Sequence, residues 1–194
     1  IPLKGEAVFN AVYIGALYEG RGVGLIYKLA AQLPEVSFHV FGGGAKDVLK
    51  AQDKIKKLGL LNVFLYGYIS PKDTFKCRNS ADVLLMPYQK RVMTINNSNE
   101  TSRYMSPLKL FEYMSSRKPI ISSDHDVLQE VLKDGVNALL CDPDNVDMWV
   151  NSVLKLKNSK LLRNKLAYRA FEDFLKSYTW ENRAFEILSL FGKE

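Results

Sequence analysis

Short β-rich runs alternate with helical patterns along almost the whole chain, and few folds accommodate that order. Strands are predicted at residues 11–15, 37–41, 63–66, 83–87, 119–122 and 138–141. Between them the pattern predicts helices at 23–32, 47–58, 70–79, 107–115 and 126–133, and residues 145–190 read as helical throughout. Runs such as VLLMP and PIIS are apolar at consecutive positions rather than alternate ones, which suits strands covered on both faces. The expected fold is therefore α/β: a Rossmann-like, doubly wound parallel sheet of about six strands with helices on both faces and a helical C-terminal segment. Ligands of such sheets bind beyond the carboxyl ends of the strands, so the loops there are where chemistry is expected.

At 194 residues and 47% hydrophobic content the chain can bury a full core, and no internal tract reads as a linker, so residues 1–194 are expected to make one domain. The net charge of +6 and pI near 9.2 fit anionic partners. Lys and Arg are dispersed among acids rather than clustered, which argues against a nucleic-acid surface and for a phosphate-bearing ligand or an anionic membrane face. Cys77 and Cys141 stand far apart, and neither they nor His39 and His125 show metal-ligand spacing, so no metal site is expected and both thiols read as reduced. No apolar run is long enough to cross a bilayer.

The sharpest local signal is SPLKLFEYMSSRKPIISSD, residues 106–124. Ser106 is a natural N-cap and Pro107 a natural first helical residue, since proline's missing N–H would go unpaired there anyway. The free N–H groups that follow suit a phosphate, and Lys109 adds a full charge within the first turn. Glu112, three residues on, is placed to accept hydrogen bonds from sugar hydroxyls of a ligand whose phosphate sits at the helix start. The plainer alternative is a capped structural helix with a solvated Lys109–Glu112 pair. The strand that follows favours the ligand, because the helix then begins in a loop at one end of the sheet.

Two glycine-bearing loops follow strands. In GALYEGRGVG, residues 15–24, Gly20, Gly22 and Gly24 let the backbone approach a ligand, and Arg21 offers a forked donor for phosphate oxygens. Gly42, Gly43 and Gly44 follow the strand SFHVF, and turn geometry accounts for them as well as ligand contact does. Neither loop matches G-x-G-x-x-G, so a nicotinamide-binding domain is disfavoured.

Taken in order, YIGALYEGRG, HVFGGG, NVFLYGYIS, NSADVLLMP, SPLKLFEYMSSRKPIISSD, DGVNALLCDPDN and YTWENRAFEIL resemble the donor-binding C-terminal half of group 1 retaining glycosyltransferases of the GT-B architecture, the E-x7-E type. The resemblance covers essentially the whole chain. It implies retaining transfer of a sugar from a nucleotide-diphosphate donor to a carbohydrate or lipid-linked acceptor, work of the kind used in polysaccharide biosynthesis, with no cofactor and no metal. It places Arg21 on the basic residue that neutralises the donor diphosphate, between Gly20 and Gly22. Glu112 falls on the second glutamate of E-x7-E, which in relatives binds the ribose hydroxyls. The amides around Ser106, Pro107 and Leu108, proline's own nitrogen excepted, lie in the segment that cradles the diphosphate, and Gly43 joins the donor-binding set. Tyr68 and Ile69 lie where relatives contact the base. Lys109 is added from helix geometry. With Arg21 it is expected to meet the negative charge growing on the departing diphosphate, which is the catalytic task.

The sequence departs from the family's pattern at Tyr104, which stands where the first motif glutamate is expected, and at Ala16, where many relatives carry a second diphosphate-binding Arg. The polar loop 89–105 is the expected source of substitute contacts, with a plain surface loop as the alternative, and Glu100 could take the glutamate's place only if the loop were rearranged. IPLKGEA reads as an interdomain linker, so the acceptor-binding N-terminal half is expected to lie outside these residues, and this half alone is expected to be inactive. Tyr178, Trp180 and Phe185 are candidates for contact with that half, although Trp180 reads better as packing within the domain. The resemblance implies a cytoplasmic location, with the inner membrane face as one setting. A nucleotide-sugar epimerase of the same architecture and a non-catalytic nucleotide-sugar binding domain stay open as alternatives.

Overall fold

The computed structural model describes residues 3–5, 9–91 and 108–191. Its strands and helices alternate as β1 Asn10–Ile14, α1 Val23–Gln32, β2 Ser37–Phe41, α2 Ala45–Lys57, β3 Val63–Gly67, α3 Pro71–Asn79, β4 Val83–Met86, α4 Leu108–Met114, β5 Ile120–Ser123, α5 Asp126–Gln129 and β6 Leu139–Cys141. Three helices close the chain: α6 Val146–Asn158, α7 Lys160–Ser177 and α8 Trp180–Phe191. Asn145 and Ser159 cap α6 and α7, their side chains accepting from the Met148 and Leu162 amides, and the run expected over 145–190 is broken at Ser159 and at Tyr178–Thr179. The sheet has the order β3-β2-β1-β4-β5-β6 and every pair is parallel, so it is the predicted doubly wound α/β fold.

Alternate side chains of each strand serve two separate cores. On one face Ala11, Tyr13, Phe38 and Val40 meet Ile26 and Leu29 of α1 and Trp149 and Val153 of α6. On the other, Val12, Phe41, Leu84 and Met86 meet Cys77 of α3, Leu110 and Met114 of α4 and Ala170 of α7. Full burial of one such aliphatic side chain stabilises by about 1.5–3 kcal/mol, which explains why the strands are apolar at consecutive positions.

Two expectations are corrected. The helix predicted over 126–133 ends at Gln129, because the Asn137 side chain takes the Lys133 amide at 2.7 Å and draws the chain into a turn. Trp180 does not pack inside the domain but is 80% exposed. Thr179 caps the start of α8 by accepting from the Asn182 amide at 3.2 Å, and the Asn182 side chain ties that first turn back to the Leu175 carbonyl of α7 at 2.9 Å. Tyr178 does pack internally, 5.2 Å from the Phe111 ring, while Phe185 is exposed.

His39, in the middle of β2, is fully buried. Its Nε2 lies 3.0 Å from Asn10 Oδ1, which can only accept, so Nε2 carries the proton and Nδ1 accepts from the Tyr66 hydroxyl at 3.0 Å. Burial pushes its pKa from 6.5 down to about 4. The unfolded chain therefore takes up this proton first as the pH falls, and stability is lost from about pH 6.5 to about pH 4, by about 3 kcal/mol in total. Urea midpoints across that range are expected to fall more steeply for the native chain than for His39→Gln. Equal slopes would mean that His39 does not titrate on unfolding.

Candidate functional site

The strand order reverses between β1 and β4, which opens a crevice beyond their carboxyl ends. Their register pairs Ala11 with Val83 and Val12 with Leu84, after which the strands separate. The Tyr113 hydroxyl fills the gap, accepting from the Ile14 amide at 3.0 Å and donating to the Leu85 carbonyl at 3.4 Å. Tyr113 thereby fixes α4 to the mouth of the crevice, and α4 carries Lys109 and Glu112 with it.

Lys109 reaches back across the end of β1. Its ammonium lies 4.4 Å from the centre of the Tyr13 ring and 5.3 Å from that of Tyr88, and it fills the space where a side chain at Gly15 would stand. The Lys109 side chain is half-buried, but its charged end is enclosed by these rings. That burial, and the nearby Arg21 charge, push its pKa down to about 7, with Glu112 acting in the opposite direction.

Arg21 approaches from the loop after β1. Its Nη2 donates to the Tyr18 hydroxyl at 2.6 Å, and its guanidinium lies 4.9 Å from the centre of the Tyr18 ring and 5.5 Å from that of Tyr88. Tyr88 thus touches both cations. Three elements pin the segment that holds it. Ser123 Oγ donates to the Tyr88 carbonyl at 2.5 Å, the Gln89 amide donates to Gly20 O at 3.0 Å, and Lys90 pairs with Asp144 at 2.8 Å. Among the described residues neither Arg21 nor Lys109 forms an ion pair with a carboxylate, and Arg21 Nε is buried without a hydrogen-bond partner. Two basic side chains are thus held together on neutral aromatic rings, one of them with an unused buried donor.

Gly22, in a left-handed conformation at φ 88°, caps α1 with its backbone against the Pro87 carbonyl. Gly42 lies in the same way against the Gly15 carbonyl, so close packing of the loops accounts for that glycine. Gly20 presents its carbonyl to Gln89, and Gly43 faces the Leu17 side chain. In the loop after β3, Tyr68 is 77% exposed, whereas Ile69 packs against the core that includes α3 and α4. Leu108 opens α4 and is exposed; Ser106, Pro107, Tyr104 and Glu100 lie outside the described residues.

Glu112 is on the surface beside α3, one turn beyond Lys109. One carboxylate oxygen accepts from Arg78 Nη1 at 3.3 Å, and its side chain is otherwise half exposed. The structure therefore brings Arg21 and Lys109 together at the crevice, sets Glu112 on α4 one turn from Lys109 and against Arg78, and adds Tyr13, Tyr18, Tyr88, Tyr113 and Arg78, none of which the sequence singled out. Tyrosines in apolar strands, beside them or on the apolar face of a helix read as core, and Tyr13, Tyr88 and Tyr113 are indeed buried. Among the described residues no three His, Cys, Asp or Glu side chains cluster as a metal site would require, and no helix is long and apolar enough to cross a membrane.

The sequence profile of "Glycosyl transferases group 1" matches residues 4–173. Among curated proteins, the chain is 23% identical over 180 residues to the uncharacterised glycosyltransferase MJ1178 of Methanocaldococcus jannaschii, covering 92% of this chain and 47% of that protein. It therefore spans about half the length of that relative. Among solved structures it is similar to Anabaena HepE in complex with UDP and glucose, at a TM-score of 0.79 and 17% identity, covering 96% of this chain and 48% of that one. It is also similar to a glycine-to-arginine mutant of S. aureus TarM in complex with fondaparinux, alpha-GlcNAc-glycerol and UDP, at 0.76 and 23%, covering 95% and 35%. The C-terminal domain of the group 1 family protein LpcC from Francisella tularensis, crystallised by itself, gives 0.71 and 17%, covering 90% and 88%. At these identities the structural matches establish the fold.

Proposed function

The chain belongs to the group 1 glycosyl transferases, and on that premise we propose that it is the donor half of such an enzyme, holding a nucleoside diphosphate sugar while the sugar passes with retention to an acceptor. The observation that carries this reading is the pair of cations, Arg21 and Lys109, converging without a carboxylate partner among the described residues where the sheet reverses. A diphosphate matches that charge. As the bond from the sugar to the diphosphate breaks, negative charge grows on the leaving oxygens, and two fixed cations on a rigid aromatic floor stabilise it without reorganising. In the same reading Glu112 accepts from the ribose hydroxyls, Tyr68 and Ile69 flank the base, and the amides of residues 106–108 add donors to the diphosphate.

Uridine is the base placed first, supported by the UDP in the TarM and HepE structures. The acceptor, carbohydrate or lipid-linked, belongs to the part of the protein beyond this chain. Calorimetric titration with UDP, GDP and ADP tests the reading. One of them is expected to bind, and Glu112→Ala is expected to weaken it about tenfold or more, the worth of hydrogen bonds to a charged acceptor. If no diphosphate binds at millimolar concentration, the donor assignment fails.

A further inference from the structure

Arg78 sits in the last turn of α3 with its side chain only 9% exposed, an unusual place for a permanent charge. A guanidinium taken out of water has to be paired, and among the described residues this one has three specific partners. Nε donates to Ser116 Oγ at 2.8 Å, and Nη1 donates to Thr74 Oγ1 at 3.0 Å and to Glu112 Oε2 at 3.3 Å. Ser116 Oγ in turn donates to the Glu112 carbonyl at 2.6 Å. One arginine therefore grips the same glutamate twice, directly at the carboxylate and through Ser116 at the backbone. Glu112 Oε1 has no partner among the described residues, and the side chain as a whole is 51% exposed.

We infer that Arg78 is a positioning residue for Glu112, holding one carboxylate oxygen so that the other faces the ribose of the donor. The inference rests on the reading of Glu112 as the ribose ligand. A free surface glutamate samples many rotamers and loses that freedom on binding, whereas one tied to a buried fork has lost it already. Arg78 also belongs to the helix that begins just after Tyr68 and Ile69, so the same contact sets the distance between the loop proposed for the base and the carboxylate proposed for the ribose. Lysine cannot replace it, because a single ammonium does not reach Ser116 and Glu112 in a fixed plane.

The test compares UDP, GDP and ADP with their 2′,3′-dideoxy forms by calorimetry. The native chain is expected to prefer the ribose form by about tenfold or more. In Arg78→Met that preference is expected to shrink to about twofold, with affinity for the dideoxy form within about twofold of the native value, since the lost interaction is one the dideoxy form never made. In Arg78→Lys, which keeps the buried charge without the fork, it is expected to fall to about threefold, and this variant carries the test if Arg78→Met does not fold. A purely structural Arg78 would weaken both forms equally; that result, or an unchanged preference in Arg78→Lys, overturns the inference. A native chain that binds both forms with no preference removes the ribose role of Glu112 and the inference with it. A native chain that binds none of the six removes the donor reading itself.

Discussion

Replacing Arg21 by alanine and Lys109 by methionine in one chain is expected to abolish nucleoside diphosphate binding while leaving the fold at least as stable as before. Each cation offers charge-assisted hydrogen bonds to phosphate oxygens worth about 1.5–3 kcal/mol, so losing both weakens binding by about 10²–10⁴-fold. Methionine keeps an apolar stem against the Tyr13 ring, so packing is retained. The stability half of the expectation is the discriminating one. Neither cation has an acidic partner among the described residues, and Arg21 itself helps to push Lys109 down to about pKa 7. Structural cations would lower the thermal midpoint when removed, whereas two mutually repelling ones leave it unchanged or raise it. Retained binding in the double variant would end the diphosphate assignment. The pH dependence follows with a definite sign. Above about pH 7 the empty site loses the Lys109 proton, and an arriving diphosphate has to restore it, so affinity falls as the pH rises. Lys109→Met alone should abolish that slope.

Gly22→Ala is expected to be the most damaging single methyl in the chain. At φ 88° alanine is strained by about 1–3 kcal/mol, and its Cβ would overlap the Pro87 carbonyl, which cannot rotate away. The Gly22 carbonyl also accepts from the Leu25 and Ile26 amides at 3.0 and 3.3 Å, so the start of α1 has to shift with it. Together these imply a loss above about 3 kcal/mol, a fall in the unfolding midpoint of about 6–12 °C for a chain of this size, and with it a displaced Tyr88 and a disordered cation pair. Two residues on, Gly24→Ala has open space in the helix and is expected to stabilise by about 0.5–1 kcal/mol. Thermal unfolding of the two variants side by side separates a general intolerance of change in α1 from the specific contact at Pro87.

What the sequence revealed and what it concealed divide along physical lines. Strands such as Val83–Met86 are buried on both faces, and a short continuous apolar run between turn residues suits little else, so their positions were legible to within a residue or two. The end of α5 was not, because a single side-chain contact, Asn137 to the Lys133 amide, decides it. At the site, Arg21, Lys109 and Glu112 stood out because they sit in a glycine-bearing loop and at a helix start, two places where a sheet of this kind presents groups to a ligand. The tyrosine floor did not, since a tyrosine beside an apolar strand looks the same whether its ring serves a core or a cation. Arg78 was hidden for a similar reason: in PKDTFKCRN it is one basic residue among three, and only the packing of α3 against α4 distinguishes the buried one from the solvated ones. Trp180 misled in the opposite direction, since aromatic character suggests burial and says nothing of which way the following helix turns.

β1 is central in the sheet but pairs with β4 only after the whole of β2 and β3 has been threaded between them in sequence, Val12 meeting Leu84. Closing that contact costs more chain entropy than pairing β1 with β2 or β4 with β5, so the seam is a natural late step in folding. A nucleotide seated there would touch Arg21 from the segment before the seam and Lys109 and Glu112 from the segment after it. By mass action it then favours the closed chain over every open one. On the donor reading proposed above, the sugar nucleotide would act twice in a cell, as reagent and as a clamp on this seam, and the amount of folded protein would rise and fall with the supply of donor.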